Sequence, residues 1–233
     1  MSAHPEVRGE ANRVRMVVER GERGFARRDP FWPAQLAALV AIGLYFALPQ
    51  RLTAGPKGLL PGLEGLLALA LILAMPAMRY SPWRRRFAIA LIGLVSAANL
   101  ASLALLIHYL LRGGSVGGEQ LVMSGVVLWA TNVLIFGLWF WELDRGGPIA
   151  RAMDSEAPPD FLFPQMAEPR FAPPGWMPGF VDYLYLSLTN ATAFSPTDTL
   201  PLSRSAKALM GLQSVAALVT LGLVVARAVN VLG

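Results

Sequence analysis

Long apolar runs alternate along the chain with short breaks marked by charge or proline. The runs cover 32–49, 59–78, 87–111, 119–142 and 204–232. A helix needs about 20 apolar residues to cross the hydrocarbon core of a bilayer, and the runs have that order of length. No sustained apolar–polar alternation marks barrel strands, so the pattern predicts an all-α integral membrane protein with about five transmembrane helices. Trp32, Tyr80, Trp83, Tyr109, Trp139 and Trp141 lie near run ends, where interfacial aromatics collect.

A sixth apolar stretch breaks the pattern. "FVDYLYLSLTNAT", 180–192, would form roughly 20 Å of helix, too short to cross. "AFSPTDTLP" follows, and Pro196 and Pro201 block further helix. One reading is a re-entrant, pore-like half-helix with a returning limb whose polar residues face a cavity. The other is an amphipathic helix and turn at the interface, with Asp198 and Ser203 as turn and helix-start residues. The expected fold is therefore about five spans plus the half-helix.

The breaks divide the chain. A basic tail, 1–30, carries Arg8, Arg13, Arg15, Arg20, Arg23, Arg27 and Arg28. A three-helix membrane region, 31–118, follows. The last region, 119–233, holds an outer helix at 119–142, a Pro-rich linker at 143–178, the half-helix and loop at 179–203 and an inner helix at 204–232. Arginine is concentrated in the tail and at Arg79, Arg84, Arg85 and Arg86, which places both on the cytoplasmic side. By the same count the linker is cytoplasmic. Its prolines exclude a long helix, while "FLFPQM" is too apolar for a solvated spacer, so an ordered cap on the bundle is expected.

Composition narrows the chemistry. Of 233 residues, 55% are hydrophobic and 15% charged, with no cysteine and two histidines. Thiolate sites and multi-histidine metal clusters are thereby excluded. The net charge of +5 sits beside apolar runs and suits a lipid bilayer, not nucleic acid. No phosphate-binding glycine loop is present. Asp144, Asp154, Glu156, Asp160 and Glu168 lack metal-ligand spacing, so neither a cofactor nor an enzymatic activity is expected.

Polar residues inside the runs are costly in lipid and should face inward. Gln213, Thr220 and Arg227 recur at seven-residue intervals on one face of the last run, with Asn230 nearby. They would line a polar pathway or bond between helices, and Arg227 is placed to snorkel to the surface. Ser96, Asn99, Ser102 and His108 on the third run, and Ser124, Thr131 and Asn132 on the fourth, read as interhelical hydrogen-bonding groups.

From Trp139 to the end the order "DYLYLSLTNATAF", an aspartate, a proline, then "SRSAKALMGLQS" resembles the pore module of potassium-channel-like ion channels: outer helix, pore helix, filter, inner helix. "WELDRGGP", "PDFLFPQM" and "TNATAFSPTD" are also similar to segments of a group of bacterial multi-pass membrane proteins, which implies an inner-membrane location. The resemblance implies a homo-oligomer around a path for inorganic ions. Its constriction would be formed by Asn190, Thr192, Phe194 and Ser195, with Asp198 at the mouth. A carbonyl filter needs glycine, and none lies between Phe180 and Met210, so selectivity would rest on side chains. The expectation is a weakly selective cation pore or, alternatively, a non-conducting scaffold or partner subunit with a channel-like fold.

Overall fold

The computed structural model describes residues 31–49, 52–53, 82–111, 118–153, 157–192 and 198–232, the last with side chains to Ala226. The basic tail, the apolar run at 59–78 and the side chain of Arg227 lie outside the described residues. The elements in chain order are α1 (Trp32–Phe46), α2 (Pro82–Leu111), α3 (Gly118–Leu143) and a 3-10 turn (Asp144–Gly146). Next come α4 (Pro148–Met153), β1 (Phe161–Leu162), α5 (Pro164–Ala167), a second 3-10 turn (Pro169–Phe171), α6 (Phe180–Thr192), β2 (Leu200–Pro201) and α7 (Arg204–Leu232).

Among the described residues three helices, α2, α3 and α7, are long and apolar enough to cross a membrane. α1 has 15 residues and falls short of that length, although the sequence pattern continues to residue 49. The reason is local: the chain leaves the helix at Ala47, ahead of Pro49. α2 begins at Pro82, ahead of the expected residue 87, because arginine is a good helix former and Arg84–Arg86 complete its first turn.

α3 is the central element. It packs against α1, α2, α6 and α7 and is the most buried of the three long helices, whereas α7 is the least. Two glycines permit these approaches. A Cβ on Gly125 would overlap Val224 Cγ2 of α7, and one on Gly137 would lie 3.2 Å from the Leu184 Cα of α6. Small residues of this kind let helix backbones close on each other where lipid offers no hydrophobic drive.

The described part of the linker packs against the helices. Phe161 and Phe163 are buried in the main apolar cluster with Phe140, Trp141, Phe180 and Tyr183. Ring centroids of Phe140 and Phe161 stand 5.1 Å apart, and those of Phe163 and Tyr183 stand 5.2 Å apart, edge to face in the second case. β1 pairs antiparallel with β2, Phe161 opposite Pro201 and Leu162 opposite Leu200. The segment that precedes α7 is thereby tied to the linker that follows α3.

Candidate functional site

An α-helix ends with four carbonyls lacking intrahelical partners. At the end of α3 arginines take several of them. Arg151 Nη1 donates to the carbonyls of Trp141 (2.6 Å) and Asp144 (2.9 Å), and Arg85 Nη2 donates to that of Glu142 (3.3 Å). Cations here also suit the negative end of the helix dipole. The chain then reverses through left-handed backbone at Arg145 (φ 52), Gly146 (φ 80) and Gly147 (φ 101). Glycine is needed at 147 on a second count, since a Cβ there would meet Glu142 Oε2 at 3.0 Å.

Asp144 is fully buried at this reversal. Its Oδ1 accepts from the backbone N–H of Asp160 (2.7 Å), and its Oδ2 accepts from the Tyr183 hydroxyl (2.5 Å). The Asp160 carboxylate in turn accepts from the Arg145 N–H at 3.0 Å, holding the strained residue. Arg151, 1% exposed, lies with its guanidinium 4.9 Å from the Tyr183 ring centre. One carboxylate thus joins α3, the linker and α6. Beside it Arg84 Nη1 donates to Glu142 Oε1 at 3.2 Å, both side chains being buried.

The second polar cluster lies between α6 and α7 and contains residues singled out from the sequence. α6 opens with the Gly179 N–H donating to Asp182 Oδ2 at 2.8 Å, the reach-back half of a capping box. Its inner face carries Phe180, Tyr183, Leu186, Ser187 and Ala191. Gln213, 0% exposed, uses both amide hydrogens on Ser187, to its carbonyl (2.9 Å) and its hydroxyl (2.6 Å). Gln213 Oε1 accepts from Asn190 Nδ2 at 2.8 Å, and that nitrogen also donates to the Met210 carbonyl at 3.0 Å. The Ser187 hydroxyl itself donates to the Val133 carbonyl of α3 at 2.7 Å. The amide donors of Asn190 and Gln213 are therefore all used inside the protomer.

The remaining sequence candidates separate. Thr220 is buried and bonds back to the Ala216 carbonyl at 2.7 Å. Thr192 is exposed and bonds back to the Leu188 carbonyl at 2.8 Å. Asp198 is exposed near β2. Phe194 and Ser195 lie outside the described residues. Asn190 and Gln213 are thus brought together, and Thr192, Thr220 and Asp198 are not part of their cluster. Asp144, Tyr183, Arg151, Glu142 and Arg84 form a site that the sequence pattern did not single out. The available signal was two acids, Glu142 and Asp144, closing an apolar helix just before a Gly-Gly-Pro reversal.

Among the described residues no group of three or more His, Asp or Glu is placed to hold a metal ion. No protein-family model, curated protein or solved structure matches the chain.

Proposed function

We propose that the chain is a non-conducting membrane subunit with a channel-like arrangement, in which α6 enters the bilayer as a half-helix and the linker caps it on one side. The contacts of α6 support the half-helix. It starts beside Trp141 at the end of α3 and ends with Ala191 against Val133 and Ala217, well inside α3 and α7. From Trp141 back to Val133 is eight residues, or about 12 Å along the helix. The chain then returns to pair with the linker through β2.

The observation that carries the non-conducting reading is Gln213. In a conducting assembly the polar face of the inner helix would look onto water. Here that face is turned into the protomer, its amide donors spent on Ser187, while Leu212, Val215, Leu218 and Val225 face outward. Hydrogen bonds of this kind hold membrane helices together.

Flux through the full-length protein in liposomes tests the proposal, with potassium, sodium and chloride measured separately. Wild type and Gln213→Leu should both stay at the protein-free background. Flux above background whose rate or ion preference shifts in Gln213→Leu or Asn190→Leu would overturn it. The outcome would then favour the second reading, a weakly selective cation pore in a homo-oligomer. That reading draws on Thr192 and Asp198, which are exposed on the protomer and available to face a symmetry axis.

A further inference from the structure

α1, α2 and α3 do not close on each other completely. A cleft of ≈ 50 Å³, open along one side, runs between them. Its walls are Ala34 and Ala38 of α1 with Ala88 and Leu91 of α2. Alanines one turn apart on α1, facing Ala88 of α2, leave a groove that follows the helix direction. One end of the cleft is charged, for Arg84 and Glu142 line it there. Phe31 fixes that end as the start of α1, since the Arg84 guanidinium lies 5.3 Å from its ring centre. The cleft is therefore amphiphilic along its length, polar at the cap side and apolar for about two helical turns below it.

The polar end has hydrogen-bonding capacity left over. Arg84 is 4% exposed, yet among the described residues its Nε has no hydrogen-bond partner, and neither has the buried Nε of Arg85. Arg86 is exposed, with its guanidinium 5.0 Å from the ring centre of Trp83, an aromatic that is itself 55% exposed. At this end Arg84 pairs with the Glu142 carboxylate and Arg85 Nη2 donates to the Glu142 carbonyl, so two guanidinium groups stand beside one carboxylate. Buried donors without partners are costly, and guanidinium groups match phosphate oxygens.

We propose that this cleft binds an anionic phospholipid, with its phosphate on Arg84 and Arg85 and one acyl chain along the alanine groove. The sign of the mouth selects an anionic over a zwitterionic headgroup. The open side admits a chain lying lengthwise against the helices. Basic pockets between membrane helices are suited to such headgroups.

The test is thermal unfolding of the delipidated full-length protein in a non-ionic detergent, titrated with phosphatidylglycerol, phosphatidylcholine or inorganic phosphate. Phosphatidylglycerol should raise the unfolding temperature at saturation. Its half-saturating concentration should be at least about fivefold below that of phosphatidylcholine, the contribution of roughly one arginine. Arg85→Gln should remove most of that preference while leaving the Arg84–Glu142 pair in place. Ala38→Phe fills the groove from its open side, keeps every charge, and should abolish the saturable effect. Equal effects of the two lipids would overturn the proposal. So would a phosphatidylglycerol effect that survives Ala38→Phe, because the lipid would then be acting elsewhere. Stabilisation by inorganic phosphate equal to that by phosphatidylglycerol would show that no acyl chain is bound.

Discussion

At Asp144 a single carboxylate holds the end of α3, the backbone of the linker and the Tyr183 hydroxyl of α6. A hydrogen bond to a charged, buried acceptor contributes more than a neutral one, about 1.5–3 kcal/mol. Tyr183→Phe keeps the ring against Phe161 and Phe163 and removes only the donor. It should lower stability by about 1.5–3 kcal/mol in a denaturing-detergent titration. Tyr185→Phe is the control, since Tyr185 is 65% exposed and should change the midpoint by less than about 0.5 kcal/mol. Equal shifts for the two variants would refute the hub role of Asp144. In the sequence Asp144 is one of several acids spread along a proline-rich stretch. Its place beside the Gly-Gly-Pro reversal is a local mark, but its role is not legible there, because its partners are 16 and 39 residues away. Asn190 and Gln213 stood out separately, as amides in or beside apolar runs, but their bond to each other and to Ser187 and Met210 depends on how α6 crosses α7.

The three long helices were legible because lipid-length apolar runs leave few alternatives, whereas the first run yields a helix of only 15 residues and the run at 59–78 lies outside the described residues. α6 spans 180–192, the range its apolar pattern and flanking prolines mark. What the pattern does not reveal is the order of burial, with α3 inside and α7 outermost, since all three long helices are similarly apolar. Glycine contacts expose that order and make it testable. Gly137 meets the backbone of Leu184, which cannot swing aside like a side chain. Gly137→Ala should therefore force α6 and α3 apart by a few tenths of an ångström and cost about 1–3 kcal/mol. Gly211, on the outer part of α7, has nothing within 4 Å of the point where a Cβ would stand. Gly211→Ala should be neutral or stabilise by up to about 1 kcal/mol through helix propensity. The opposite signs are read from the same detergent titration, and a destabilising Gly211→Ala would mean that its face is packed against a further chain.

For the molecule as a whole, the decisive property is which ends share a side of the membrane. Arg84 at the start of α2 pairs with Glu142 at the end of α3, so these helices run antiparallel and their charged ends coincide. Leu202 donates its N–H to the Asp160 carbonyl at 2.8 Å, which brings the start of α7 to that same end. If 180–201 enters and leaves the bilayer on one side, Met153 and Leu202 must share a compartment, and Glu119 at the far end of α3 must lie in the other. Were that segment a full crossing, Met153 and Leu202 would be separated by the bilayer. The chain has no cysteine, so single substitutions give an unambiguous readout. Met153→Cys and Leu202→Cys should react with a membrane-impermeant maleimide from one side only, and Glu119→Cys from the opposite side. The arginines of Arg84–Arg86 add a direction: they favour the cytoplasm for the capped end, so in intact cells Glu119→Cys should label and the other two should require permeabilised membranes. Labelling of Met153→Cys and Leu202→Cys from opposite sides would reject the half-helix. Labelling of both from outside in intact cells would keep the half-helix and invert the molecule.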